Sequence, residues 1–336
     1  MGRNVYTCLM LLLLSLASCA GEGGRQNGNN GTEAPAVKPV AGVPVFSADS
    51  AYHFIEEQLS FGPRVPNSNG HKECGDYLVQ KLKAYGADVI EQEADLTAYN
   101  GDVLHARNII ARFQPGKKER LLLCAHWDTR PWADSDPDSA NHYKPYPGAN
   151  DGGSGVGVLL EVARQLSLSP TTFGIDIVLF DAEDYGRHSA ETSFISGNGG
   201  WALGSGYWAR NPHEGYSQAK YGILLDLVGA PNSRFCIEGN SYDYAENIVS
   251  KVWRAASDVG FSGYFPFEFG GQVTDDHIDV NEILGVRCID IINYDPESPN
   301  GFGPYHHTMK DDMDWIDKHT LKAVGQTVLQ VIYNEK

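Results

Sequence analysis

The apolar run Leu121-Leu122-Leu123-Cys124-Ala125 breaks off into His126-Trp127-Asp128, and the same design recurs along the chain. Ile175-Asp176-Ile177-Val178-Leu179-Phe180 gives way to Asp181-Ala182-Glu183-Asp184, Ile223-Leu224-Leu225 ends in Asp226, and Cys288-Ile289-Asp290-Ile291-Ile292 is a fourth run. Near-continuous hydrophobicity, rather than alternation, is expected of strands covered on both faces. Segments with helical spacing separate the runs at 155–166 and 244–259, and another closes the chain at 318–333 with Leu321, Val324, Val328 and Ile332 on one stripe. Two helices are expected earlier, at 50–59 and 71–85, joined by the turn chemistry of Phe61-Gly62-Pro63-Arg64-Val65-Pro66. This alternation predicts an α/β fold of three layers, αβα, around a mostly parallel sheet. No linker-like stretch or internal repeat divides 44–336, which reads as a single catalytic domain.

Of 336 residues, 26 are Lys or Arg and 43 are Asp or Glu, a formal net charge of −17. That balance excludes a nucleic-acid binder, since phosphate recognition requires a cationic surface. At 42% hydrophobic and 21% charged residues the composition is that of a folded protein. The first 18 residues are set apart: Arg3 precedes the apolar run 8–14, and Leu16-Ala17-Ser18-Cys19 follows. The run is too short to span a bilayer as a permanent helix, so it reads as an export signal. Leu-Ala-Ser-Cys is similar to a bacterial lipobox, which would place lipid on Cys19 and the mature protein on the outer side of a membrane, periplasmic or at the cell surface; an ordinary signal peptide with a chance Cys is the alternative. Residues 19–43, rich in Gly, Asn, Pro and Glu, read as a flexible tether. Cys74, Cys124, Cys236 and Cys288 of the body match no zinc-knuckle or Cys-x-x-Cys spacing, and their disulfide state is left open.

Three apolar runs thus deliver His126, Glu183, Asp184 and Asp226 to strand carboxyl ends, the ligand-binding rim of open α/β sheets. Asp151, in Gly148-Ala149-Asn150-Asp151-Gly152-Gly153, and His306-His307 lie in loops ahead of helices. Any one of these acids could be a helix cap or surface ion pair. As a set they call for a cation, because crowded carboxylates otherwise raise one another's pKa. Mixed Asp and His donors with an open position suit catalytic zinc. Other motifs fall away. Gly153-Ser154-Gly155-Val156-Gly157 has no preceding strand for a dinucleotide loop and lacks the final Gly of a serine elbow. Asp134, Asp136 and Asp138 start like a calcium loop but meet Ser139 and Pro145 at its turn and closing positions, and the segment reads as a solvated loop.

Taken together, these stretches resemble the type II glutaminyl cyclases (glutaminyl-peptide cyclotransferases), a branch of the zinc-aminopeptidase, phosphorylase/hydrolase-like fold. The resemblance runs from Phe61-Gly62-Pro63-Arg64 through Phe180-Asp181-Ala182-Glu183-Asp184 to the last helix, and is most specific at Leu225-Asp226-Leu227-Val228-Gly229-Ala230-Pro231-Asn232 and Asp275-Asp276-His277-Ile278. It implies Asp151, Asp184 and His307 as ligands of one zinc, Glu183 as general acid/base, and Asp226 and Asp275 as carboxylates beside the substrate amide. It further implies peptides or exported proteins with N-terminal Gln as partners, converted to pyroglutamate with release of ammonia. The chain departs from the animal pattern: Glu183-Asp184 replaces Glu-Glu, His306 stands where a Trp precedes the zinc histidine, and no Cys follows Asp151 to pair with Cys124. Trp201 is the expected pocket Trp, with Trp127 and Trp132 as alternatives and His126 and His306 as further pocket residues. The rival is an exported two-zinc aminopeptidase, with His126 and Asp226 completing a second metal site and Glu183 activating water. Against it, Asp275-Asp276-His277 stands where such peptidases usually show Ser-Asp-His. A binding protein with a dead site is the remaining reading, and every matched ligand and Glu183 speak against it.

Overall fold

Leu121, Leu123 and Ala125 pack into one buried cluster and Leu122 and Cys124 into another, so consecutive side chains of the same strand enter cores on opposite sides of the sheet. The structure, a computed structural model, describes residues 42–192, 200–294, 298 and 301–335. In chain order the elements are α1 (Ala48–Leu59), α2 (Asn69–Ala84), β1 (Asp88–Thr97), β2 (Val103–Phe113), β3 (Arg120–His126), α3 (Gly153–Leu168) and β4 (Gly174–Phe180). They continue with α4 (Leu203–Arg210), β5 (Gly222–Asp226), α5 (Gly239–Asp258), α6 (Asp276–Glu282), β6 (Cys288–Ile292) and α7 (Lys318–Asn334). The six strands lie in the order β1-β2-β4-β3-β5-β6. β4, β3, β5 and β6 are mutually parallel, while β2 is antiparallel to both its neighbours. The larger core holds the apolar faces of α1, α2, α3, α5 and α7, and the smaller one Trp208 of α4 and Val280 of α6. The three-layer α/β expectation therefore holds, with a mixed sheet whose central strands are the parallel ones.

The expected helices are all present; α1, α2, α3 and α5 start two to five residues earlier than expected, and α7 starts at Lys318 as expected. β1, β2, α4 and α6 are additions. Ile175 and Ile177 flank Asp176, a buried carboxylate that the Arg120 guanidinium grips through Nε and Nη2, each at 2.7 Å. The segment 134–138 is not the solvated loop expected. Asp134 is gripped by Arg130, and Asp136 accepts the backbone N–H groups of Asp138 and Met309. Both acids are 7% exposed because they tie the loop to the site instead of facing water.

The export signal at 1–18 and Cys19 lie outside the described residues, as does the tether up to residue 41. Val43, at the tether's end, is buried in the larger core. No helix among the described residues is long and apolar enough to cross a membrane. Among the described residues Cys74, Cys124 and Cys288 are buried and form no disulfide, and Cys236 is partly buried.

Candidate active site

Because β3, β4 and β5 run parallel, their carboxyl ends bring His126, Glu183 and Asp226 to one rim. The chain leaves that rim through left-handed backbone at Ala182 (φ 53°) and Leu227 (φ 51°), and His307 adopts the same conformation (φ 54°). Such positions cost on the order of 1 kcal/mol or more, and surrounding hydrogen bonds must enforce them. Here Ala182 N–H donates to Asp181 Oδ1 at 2.7 Å and Leu227 N–H to Asp226 Oδ1 at 2.8 Å. The buried Asp128 accepts the backbone N–H of Glu183 at 3.1 Å and of Asp184 at 3.2 Å, so one carboxylate sets both acids. Asp311 does the same for Asn150 and Asp151, at 2.7 and 3.0 Å. Gly152 (φ 74°) follows; a Cβ there would sit 2.7 Å from Asp128 O and 3.0 Å from the His126 ring, so only glycine fits.

Asp151, Asp184 and His307, from three separate segments, converge. His307 Nε2 lies 3.5 Å from Asp151 Oδ2 and 3.4 Å from Asp184 Oδ1. Asp184 Oδ1 is buried without a hydrogen-bond donor. Tyr146 Oη stands 3.0 Å from Asp151 Oδ2 and 3.1 Å from Asp184 Oδ2, and its one proton can serve only one of them. A buried cluster short of donors fits a cation, and carboxylate oxygens with an imidazole nitrogen are the donor set zinc takes. Burial, with the Arg130 charge, holds His307 down to about 4, so it is the neutral ring able to ligate at neutral pH. Burial raises Asp151, but His126 and His307 outweigh it and keep the group ionised. Burial and then the Asp151 charge push Asp184 well above the carboxylate range, a penalty a cation would remove.

Beside this trio, His126 Nε2 lies 3.2 Å from Asp151 Oδ1 and 3.1 Å from Asp226 Oδ1. Burial pushes Asp226 up to about 7 with help from Asp275, although His126 opposes it. Glu183 is driven well above its usual range by burial and by Asp275 and Asp184, with His126 counteracting. Glu183, Asp226 and Asp275 line a cleft of about 390 Å³, as do Trp201, His306 and His307. Trp201 lines this cleft, and its indole stacks parallel to the His307 ring, centroids 6.0 Å apart. Trp127 instead stacks on His71, and Trp132 packs among Tyr99, Tyr185 and His188. His306 does line the cleft, stacked on His307 at 3.7 Å. His126 does not; it ends a central strand and is 1% exposed, with Nε2 engaged by Asp151 and Asp226.

Arg130 went unread in the sequence. Its guanidinium forks onto Asp134 at 2.9 and 2.7 Å, donates to the carbonyls of Asp184, Gly186 and Arg187, and lies 4.7 Å over the Trp201 ring. Asp134 in turn stands 3.7 Å from His307 Nδ1. Asp290 was likewise seen only as part of a strand. Its oxygens are buried without donors, and one lies within 4.8 Å of ligand atoms of Asp275 and His277. The Arg-Pro-Trp sequence after Asp128 gives no sign of these contacts, which depend on loops distant in the chain.

A donor-poor cluster of carboxylates and imidazole at the strand rim of a three-layer α/β sandwich defines a metalloenzyme of the zinc-exopeptidase architecture. The chain belongs to peptidase family M28, whose model matches residues 108–332. A glutaminyl cyclase of Bacteroides thetaiotaomicron, solved with N-acetylhistamine bound, is 53% identical over 88% of this chain and 100% of its own, with a TM-score of 0.85. A zinc-dependent exopeptidase of Parabacteroides distasonis is 54% identical over 87% of this chain and 100% of its own, also with a TM-score of 0.85. The aminopeptidase YwaD of Bacillus subtilis is 27% identical over 82% of this chain, which spans 54% of that protein's length.

Proposed function

We propose that the protein is a zinc-dependent glutaminyl-peptide cyclotransferase that closes N-terminal Gln to pyroglutamate and expels ammonia. The observation that carries this reading is the likeness to the Bacteroides glutaminyl cyclase over 88% of this chain, joined to the convergence of Glu183, Asp226 and Asp275 on the cleft beside the Asp151–Asp184–His307 trio. Asp151, Asp184 and His307 would hold one zinc, which when bound would supply a Lewis acid for the γ-amide carbonyl of the Gln side chain. Glu183, buried and proton-avid, accepts a proton from the α-amine as the new C–N bond forms and returns it to the departing nitrogen as the old one breaks. The attack is intramolecular, so the enzyme needs no nucleophile and proximity supplies much of the rate. Asp226 and Asp275 orient the substrate's amine and amide, and Trp201 walls the Gln side chain. His126 Nε2 lies 3.2 Å from Asp151 Oδ1 and 3.1 Å from Asp226 Oδ1, and in the one-zinc reading that ring is a hydrogen-bonding partner of the acids.

The alternative, a two-zinc aminopeptidase, is kept by the same His126, Asp151 and Asp226 cluster, whose ligand atoms lie within 4.8 Å of one another. One assay separates the two. A Gln-initiated peptide should lose the mass of ammonia without gaining water, and a chelator should stop it. Release of free N-terminal residues with two zincs per chain would establish the peptidase instead. We also propose export and lipid attachment at Cys19, with the catalytic body on the outer side of the membrane. A Cys19→Ser variant should leave the membrane fraction, and one that stays there refutes the anchor.

A further inference from the structure

Against the Trp201 side of the cleft lies a second hollow of about 310 Å³, and Trp201, Thr274 and Asp275 line both. One bank is α6. Asp275 caps that helix, and Asp279 and Glu282 follow four and three residues on, so the three acids share a face and a stripe running away from the reaction centre. The opposite bank is α4, where Asp279 packs so close that a Cβ on Gly206 would sit 2.6 Å from its carboxylate. Among the described residues of the lining Arg210 is the lone cation, and its guanidinium also donates to Gly206 O at 2.8 Å. Asp275, at the junction with the cleft, lines both hollows and has an oxygen within 4.8 Å of ligand atoms of His277 and Asp290. Leu203 and Ile278 add apolar surface between the charges.

We propose that this hollow receives the side chains that follow the N-terminal Gln and selects Lys or Arg among them; the inference rests on the cyclase reading above. The stripe from Asp275 to Glu282 covers about 10 Å at the helical rise, the reach of about three residues of extended peptide. Three carboxylates facing one guanidinium leave a net negative lining. The apolar patch suits the methylene stem of a long cationic side chain whose head group meets the acids.

The test is kcat/KM on matched Gln-initiated peptides with Lys, Ala or Glu at the second to fourth positions. Lys peptides should be preferred over Glu peptides by about fivefold, and the preference should shrink at high salt. Asp279→Asn and Glu282→Gln should each reduce the ratio, and Glu282→Lys at an exposed position should invert it. A ratio near one in the unmodified enzyme, a ratio unmoved by these variants, or an equal loss on all three peptides overturns the subsite. Direct binding of the same peptides to Glu183→Gln, followed by calorimetry, reads the ratio without turnover. Lys-selective binding by a protein that cyclises no peptide would therefore sink the activity while upholding the subsite.

Discussion

In the proposed chemistry Glu183 carries the proton, and burial beside Asp275 and Asp184 makes it a strong acceptor although the His126 charge opposes this. Glu183→Gln keeps the shape and removes the base. Turnover should fall by about 10²–10⁴, with zinc content by elemental analysis unchanged; an active variant would move the base elsewhere. Gly186 tests the wall. A Cβ at 186 would come within 2.1 Å of the Trp201 indole, which must swing off His307. Gly186→Ala should raise KM about tenfold, change kcat less, and shift tryptophan emission; unchanged KM would show that Trp201 does not contact substrate. Asp151, Glu183, Asp184, Asp226, Asp275 and His307 were legible as candidates because their residue types concentrate at strand ends and in matching motifs. Arg130 and Asp290 were not. The first works through carbonyls of a distant loop, and the second is one polar residue in an apolar strand, a pattern that Asp176 shares while merely pairing with Arg120.

Between elements, Glu238 joins α5 to the segment bearing Asp275. It accepts the N–H groups of Asn240 and Ser241 at the start of α5, that of Val273 at 2.9 Å, and lies 3.2 Å from His277 Nε2 of α6. Burial alone would raise its pKa, but the hydrogen bond and charge of His277, with Ser241 and Val273, lower it from 4.5 to about 2. A depressed carboxylate stabilises the fold above its unfolded value and loses that contribution as pH falls from 4.5 towards 2. The difference corresponds to about 3 kcal/mol. Glu238→Gln should therefore be less stable than the parent at pH 6, with the gap in urea midpoints closing towards pH 2; a constant gap would mean packing, not charge, is lost. The central strands and main helices were legible because two-sided burial writes continuous apolar runs. β1 was not, since Glu91, Glu93 and Asp95 alternate along an edge strand, where charge guards against pairing with other chains. α4 and α6 are short, and two glycines in α4 hide its periodicity.

For the molecule as a whole, folding drives Asp151, Glu183, Asp184, Asp226 and Asp275 from separate segments onto one rim of a chain already at −17. Without a cation the rim opposes folding, and the protein answers by holding protons. Asp226, raised from 3.8 to about 7 by burial first and by Asp275 next, is the group whose titration falls near neutrality. A carboxyl raised on folding stabilises the native state below its unfolded pKa and loses that contribution as pH climbs through 7. Zinc binding would work in the reverse sense, since its charge beside Asp226 would favour the ionised carboxyl and its carboxylate ligands Asp151 and Asp184 must themselves be deprotonated. Chelation at pH 8 should therefore lower Tm by about 5–10 °C, and restored zinc should return it in proportion to the logarithm of its concentration. The chelated protein should regain part of that loss as pH drops from 8 to 6, while the zinc-loaded protein does not. A Tm indifferent to chelation at pH 8 would mean that the acids are balanced by one another's protons and by His126 alone, and that the rim holds no structural cation.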